Sequence, residues 1–148
     1  MAARLRLLLA AAALALGAAP AGAAEDGFRP SGREVRAAVR ATVEGQLAAF
    51  RADDPERAYG FASLGIRRQF RAPVFAEMIR RGYPMLLVHR RAEFGLVRDN
   101  RAGRARVEVT VFDARDRPTR LLYQLAEEEA GWRVEGVVAL APPRRGDT

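Results

Sequence analysis

Helical spacing governs the first half of this chain and alternation the second. Val35, Ala38, Val39, Thr42, Val43, Gln46, Leu47 and Phe50 recur every three or four residues, with Arg33, Arg36, Arg40, Glu44 and Arg51 between them. That pattern predicts an amphipathic helix of about 20 residues with one buried stripe. It opens at 31-SGRE-34, which reads as a capping box pairing Ser31 with Glu34. A second helix is expected from Asp54, an N-cap ahead of Pro55 at the first helical position and Glu56 in the positive first turn. A third starts at Ala72-Pro73 and presents Val74, Phe75, Met78 and Ile79. Gly82 stops it, and Pro84 is expected to prevent its resumption.

From Ala92 the period falls to two. Ala105, Val107, Val109 and Val111 alternate with Arg104, Arg106, Glu108 and Thr110, as a strand with one buried face requires. Leu121, Tyr123 and Leu125 share one side of the next strand. Trp132, Val134, Gly136, Val138 and Leu140 share one side of the last, and a further strand spans about Ala92 to Arg98. The joints 99-DNRAG-103, 113-DARDRP-118 and 127-EEEAG-131 are short and polar, so the four strands should be antiparallel neighbours. The fold class expected is α+β: three N-terminal helices packed on a curved four-stranded antiparallel sheet, a cone whose open end is the default pocket.

The termini stand outside this pattern. Arg4 and Arg6 precede an apolar run, Leu7 to Ala19, which Pro20 breaks before 21-AGAAED-26. This is the layout of a signal peptide over residues 1–24, cut after Ala24 or Ala23. The run spans only about 20 Å as a helix, against a hydrocarbon layer of about 30 Å, so no stable membrane insertion is expected after cleavage. The mature chain is expected to be periplasmic or secreted. Residues 25–141 then form a single domain, and 142–148 a disordered tail.

Composition removes several classes of function. There is no cysteine, hence no disulfide, thiolate metal site or thiol nucleophile. Stability must come from the core, which about 124 mature residues can supply by burying roughly two-thirds of their unfolded surface. Every basic residue is arginine. Losing Arg4 and Arg6 with the leader leaves 23 arginines against 18 acids, so the formal charge falls from +7 to +5. The arginines are interspersed with acids rather than clustered, which argues against a nucleic-acid footprint.

The runs 46-QLAAFRADDPERAYGFASLGIRRQF-70, 75-FAEMIRRGYPML-86 and 131-GWRVEGVVAL-140 resemble the exported bacterial family catalogued as domain of unknown function 4864. Gln46-Leu47, Phe50, Asp53-Asp54, Ala58, Phe61-Ala62-Ser63, Ile66, Phe70 and Gly82-Tyr83-Pro84 carry the resemblance. It implies the nuclear-transport-factor-2-like, or cystatin-like, cone and no assigned activity.

Candidate chemistry is sparse. His89 is the lone imidazole, between an apolar run and Arg90-Arg91. Glu93 lies about 13 Å along an extended segment, too far to orient it, and no second histidine offers a metal site. The reading preferred is a half-buried or surface residue where the third helix meets the first strand. Asp53 and Asp54 diverge as adjacent side chains, with Asp54 occupied in capping. Tyr59, Phe75, Tyr83, His89, Tyr123 and Trp132 are the candidates to line a pocket. Arg90 and Arg91, with Arg80 and Arg81, could form an anion site should the crossing fold back. No metal or cofactor is expected. The function expected is non-catalytic binding, in the cone, of a small apolar or amphipathic molecule or of a protein partner. Two other readings are a small enzyme doing proton-transfer or dehydration chemistry there and a homodimer through the sheet face.

Overall fold

The structure, a computed structural model, describes residues 27–142. The leader expected over 1–24 and residues 143–148 of the expected tail lie outside the described residues. The chain is α+β. Strand β1 (Arg29–Pro30) leads into helices α1 (Arg33–Arg51), α2 (Pro55–Gly60), α3 (Leu64–Gln69), α4 (Ala72–Gly82) and α5 (Pro84–Val88). Strands β2 (Arg91–Phe94), β3 (Arg98–Asp99), β4 (Arg104–Phe112), β5 (Pro118–Glu128) and β6 (Gly131–Ala139) follow.

The three helices expected are thus five among the described residues, each addition with a local cause. Ser63 accepts a hydrogen bond from the Ile66 amide (3.2 Å) and so starts α3. Pro84, expected to block a helix, begins α5 instead, because proline at the first helical position lacks only an N–H that would have had no partner. Asp54 caps α2 through the Arg57 amide at 3.1 Å. The capping box at Ser31 does not form. Gly32 is the N-cap of α1 and carries no side-chain cap. The Ser31 hydroxyl donates across the fold to Asp99 Oδ1 at 2.6 Å.

All strand pairings are antiparallel in one six-stranded sheet. Its order is β1-β3-β4-β5-β6, with β2 also along β4. The single strand expected over 92–98 is split into β2 and β3. Between them the Gly95 amide donates to Glu108 O (2.8 Å), and Val97 O accepts from the Ser31 amide (2.9 Å). The chain is thereby drawn off the β4 ladder toward its own N-terminal strand.

The buried faces follow the alternation. Ala105, Val107, Val109 and Val111, with Leu121, Tyr123 and Leu125, meet Val39, Val43, Leu47 and Phe50 of α1 in one core. Helix α1 is tied to the sheet by the Thr42 hydroxyl, which donates to Trp132 O at 2.9 Å. Strand β6 departs from the expected alternation. Leu125 pairs with Val134 but Gln124 pairs with Gly136, so Glu135 is an inserted bulge residue. Beyond it the faces exchange: Val137 packs against the core and Val138 is 38% exposed.

Candidate functional site

The site grows out of the β6 bulge. Strand β6 ends the sheet, and its outer flank is held at Val134, whose amide donates to Phe61 O while its carbonyl accepts from the Ser63 amide, both at 2.8 Å. Past the bulge, the Tyr83 hydroxyl donates to Val137 O at 2.8 Å. Tyr83 lies at the joint of α4 and α5, so this bond holds both helices beside residues 134–139. A cavity of about 220 Å³ lies between them. Phe75, Met78 and Ile79, the apolar stripe of α4, form one wall. Phe50 and Gln46 of α1, Ile66 and Phe70 around α3, Leu86 of α5 and Val134–Ala139 of β6 complete it.

Its polar groups are few. Among the described residues Glu135 is the one ionic side chain on the wall, and it accepts a hydrogen bond from Arg104 of β4. The Tyr83 hydroxyl is already spent on Val137, and burial raises its pKa. Gln124 reaches the wall opposite Gly136. Gln46 is 1% exposed. Its Nε2 donates to Ala58 O at 3.2 Å, while its Oε1 is buried with no hydrogen-bond partner.

The candidate residues distribute unevenly. Phe75 and Tyr83 line this cavity. Tyr59 packs on Phe75 with ring centroids 5.4 Å apart, and its hydroxyl reaches Arg67 O and Phe70 O from outside the wall. Tyr123 is in the core, its hydroxyl buried and without a partner; burial, with Tyr83 adding, pushes its pKa far up. Trp132 is buried behind α1. Gln46, Gln124 and Glu135 are not among the pocket candidates that the sequence suggests. Gln46 did carry a signal, as an amide within an apolar helical stripe.

His89 is more deeply placed than half-buried, at 3% exposure. Its Nδ1 lies 2.7 Å from Leu86 O and its Nε2 lies 2.8 Å from Arg51 Nη1. A carbonyl only accepts and a guanidinium only donates, so Nδ1 carries the proton and Nε2 presents its lone pair to Arg51. Burial lowers the pKa of the ring, and the Arg51 charge lowers it further. His89 borders a second recess of about 410 Å³, together with Asp113 and Arg117, which pair with each other. Among the described residues no carboxylate bonds the ring; Glu93 is engaged by Arg91 at 2.7 Å.

The arginines of the crossing are dispersed. Arg80 and Arg81 both turn to Glu77, and Arg91 bonds Glu93 and Asp116 while stacking over the Phe112 ring. Arg90 is exposed, and its backbone amide bonds Phe112 O. Among the described residues, no three His, Asp or Glu side chains gather into a group that could hold a metal ion.

The sequence model of the family described as Domain of unknown function (DUF4864) matches residues 33–146. The chain belongs to that family. This DUF4864 chain is also similar to a crystal structure of a domain of unknown function with a cystatin-like fold from Nostoc punctiforme PCC 73102. The two share 14% identity and a TM-score of 0.57, covering 78% of this chain and 82% of the other. At that identity the likeness concerns the fold alone. No curated protein matches the DUF4864 chain.

Proposed function

We propose that the protein is an exported, non-catalytic binding domain that takes a small apolar molecule into the cavity between α4, α5 and β6. The observation that carries this reading is the wall itself. It is built mostly from aromatic and aliphatic side chains, and its two ionisable groups among the described residues, Tyr83 and Glu135, are each engaged by another part of the fold. Acid–base catalysis needs a proton donor or acceptor free to meet a substrate. An apolar recess with a few fixed polar groups is the usual form of a small-molecule site. At about 220 Å³ the space lies below the range of drug-sized pockets, so the ligand is small.

The finer description of the architecture as a nuclear-transport-factor-2-like cone belongs to the same reading. It is supported by the order of five helices followed by five antiparallel strands after the short β1, with the cavity between the layers. Export is supported by the residue pattern of 1–24 alone. Separately, no helix among the described residues is long and apolar enough to cross a membrane.

The test is a fluorescence titration of the chain from Glu25 onward with N-phenyl-1-naphthylamine, a neutral dye that brightens in apolar surroundings. Saturable binding is expected in the wild type. In Ile79→Trp, which fills the cavity from α4, binding should drop at least tenfold while the far-ultraviolet circular dichroism is retained. Equal binding by a folded Ile79→Trp variant would place the dye elsewhere and remove the proposal.

A further inference from the structure

We infer that the ligand of the α4–β6 cavity is a neutral molecule with an apolar body and one hydrogen-bond donor, a hydroxyl or an amide N–H, which meets Oε1 of Gln46. The inference rests on the apolar-ligand reading above and adds the polar chemistry of that ligand.

Gln46 projects from the apolar stripe of α1 into the cavity wall and is 1% exposed. Its amide has two ends. Donation from Nε2 to Ala58 O fixes the orientation, because a carbonyl cannot take the place of the donor. The other end, Oε1, is therefore committed to the interior, with no hydrogen-bond partner among the described residues and almost no accessible surface, so a donor on the ligand reaches it as the side chains between it and the cavity give way. Buried polar atoms are paired in the great majority of cases, and an unpaired one marks a place where a partner is missing. An amide oxygen only accepts, so that partner must donate. Among the described residues the other buried side-chain atoms without partners, Arg67 Nε and Tyr123 OH, belong to residues outside this wall.

The charge of the ligand follows from the rest of the wall. Among the described residues it contains no arginine or histidine, and its single ionic group is the Glu135 carboxylate. A carboxylate ligand would enter without a counter-charge, beside an anion and against a carbonyl oxygen. Moving an unpaired charge into such surroundings is strongly disfavoured. A cation would have to compete with Arg104 for Glu135 and would leave the Gln46 end of the site unexplained. A neutral donor suits both ends.

Three eight-carbon competitors separate these chemistries in displacement of N-phenyl-1-naphthylamine from the wild-type chain. They are 1-octanol, its isomer heptyl methyl ether, which accepts but cannot donate, and octanoate at pH 8. Octanol is expected to displace the dye at about one-tenth the concentration the ether requires, the effect of one hydrogen bond to a buried acceptor. Octanoate should be the weakest of the three. In Gln46→Leu and Gln46→Met the dye should still bind, while octanol and ether become equal within about twofold. The wild-type ratio decides the matter even should neither variant fold. Equal competition by octanol and ether, or octanoate as the best competitor, overturns the donor requirement and leaves dye binding standing. Failure of the dye and all three competitors to bind overturns the cavity reading, and the donor requirement with it.

Discussion

Gly45 sits in the interior of α1, where glycine costs about 0.5–1 kcal/mol relative to alanine. A methyl group there would lie 2.5 Å from Cζ of Phe61, so the missing side chain is what lets the ring of Phe61 lie on the helix. Gly45→Leu should therefore destabilise by about 1–3 kcal/mol through overpacking. Gly45→Ala should stabilise by about 0.5–1 kcal/mol only when Phe61 is also alanine. Urea denaturation of the four chains in the cycle measures the coupling; simple additivity would show that the ring does not set the requirement. His89 makes a second residue-scale prediction. Folding holds the ring neutral between Leu86 and Arg51, with its pKa below the ordinary 6.5. The unfolded chain thus binds a proton at a pH where the folded one does not. Stability is full above about 6.5 and declines as pH falls from there toward the folded value. The carboxylates that folding acidifies, among them Glu108 and Asp113, titrate below the ordinary carboxylate values, from which the histidine window starts about two pH units higher. The melting temperature should fall between pH 7.5 and 5.5, and the slope should flatten in His89→Gln. A slope unchanged by that substitution would assign the effect to another group.

Strand β6 carries the main prediction at the scale of an element. Its sequence alternates without a break, yet the extra residue at Glu135 reverses which side chains face inward. Val138→Lys should change stability by no more than about 0.5 kcal/mol, and Val137→Lys should cost about 1 kcal/mol or more. The opposite ranking would restore the uninterrupted alternation and close the cavity mouth as drawn. Helix α1 shows the complementary case. The stripe from Val39 to Phe50 was legible because burial of one helix face needs only the right spacing. Its cap was not, since Ser31 prefers Asp99, 68 positions away, over the neighbouring amide of Glu34. Buried Asp99 needs a donor more than an exposed helix end does. Burial works to raise its pKa, and the Ser31 hydroxyl with the amide and guanidinium of Arg101 brings it net below the usual value.

For the whole molecule, the leader pattern and the balance of charge lead to a measurable outcome. Expressed with its own first 24 residues in a bacterium with a periplasm, the chain should be recovered there with an N-terminus at or next to Glu25, as intact mass would report. Retention of residues 1–24 in the cytoplasm would remove export from the proposal. Apart from the two-residue strand β1, which the residue pattern does not predict, the division into helices before Arg90 and strands after it comes from the sequence alone, because side-chain period is a local property fixed by backbone geometry. The same holds for the faces of β4 and β5 and for the Asp54 cap. Tertiary structure decided what depends on meetings between distant segments. These are the bulge that turns β6, the bond from Tyr83 to Val137 that sets α4 and α5 beside it, and the burial of His89 under Arg51. The lone acceptor of Gln46 belongs with them. An amide in an apolar stripe can be read from spacing, but whether each of its ends finds a partner depends on where Ala58 and the rest of the fold come to lie.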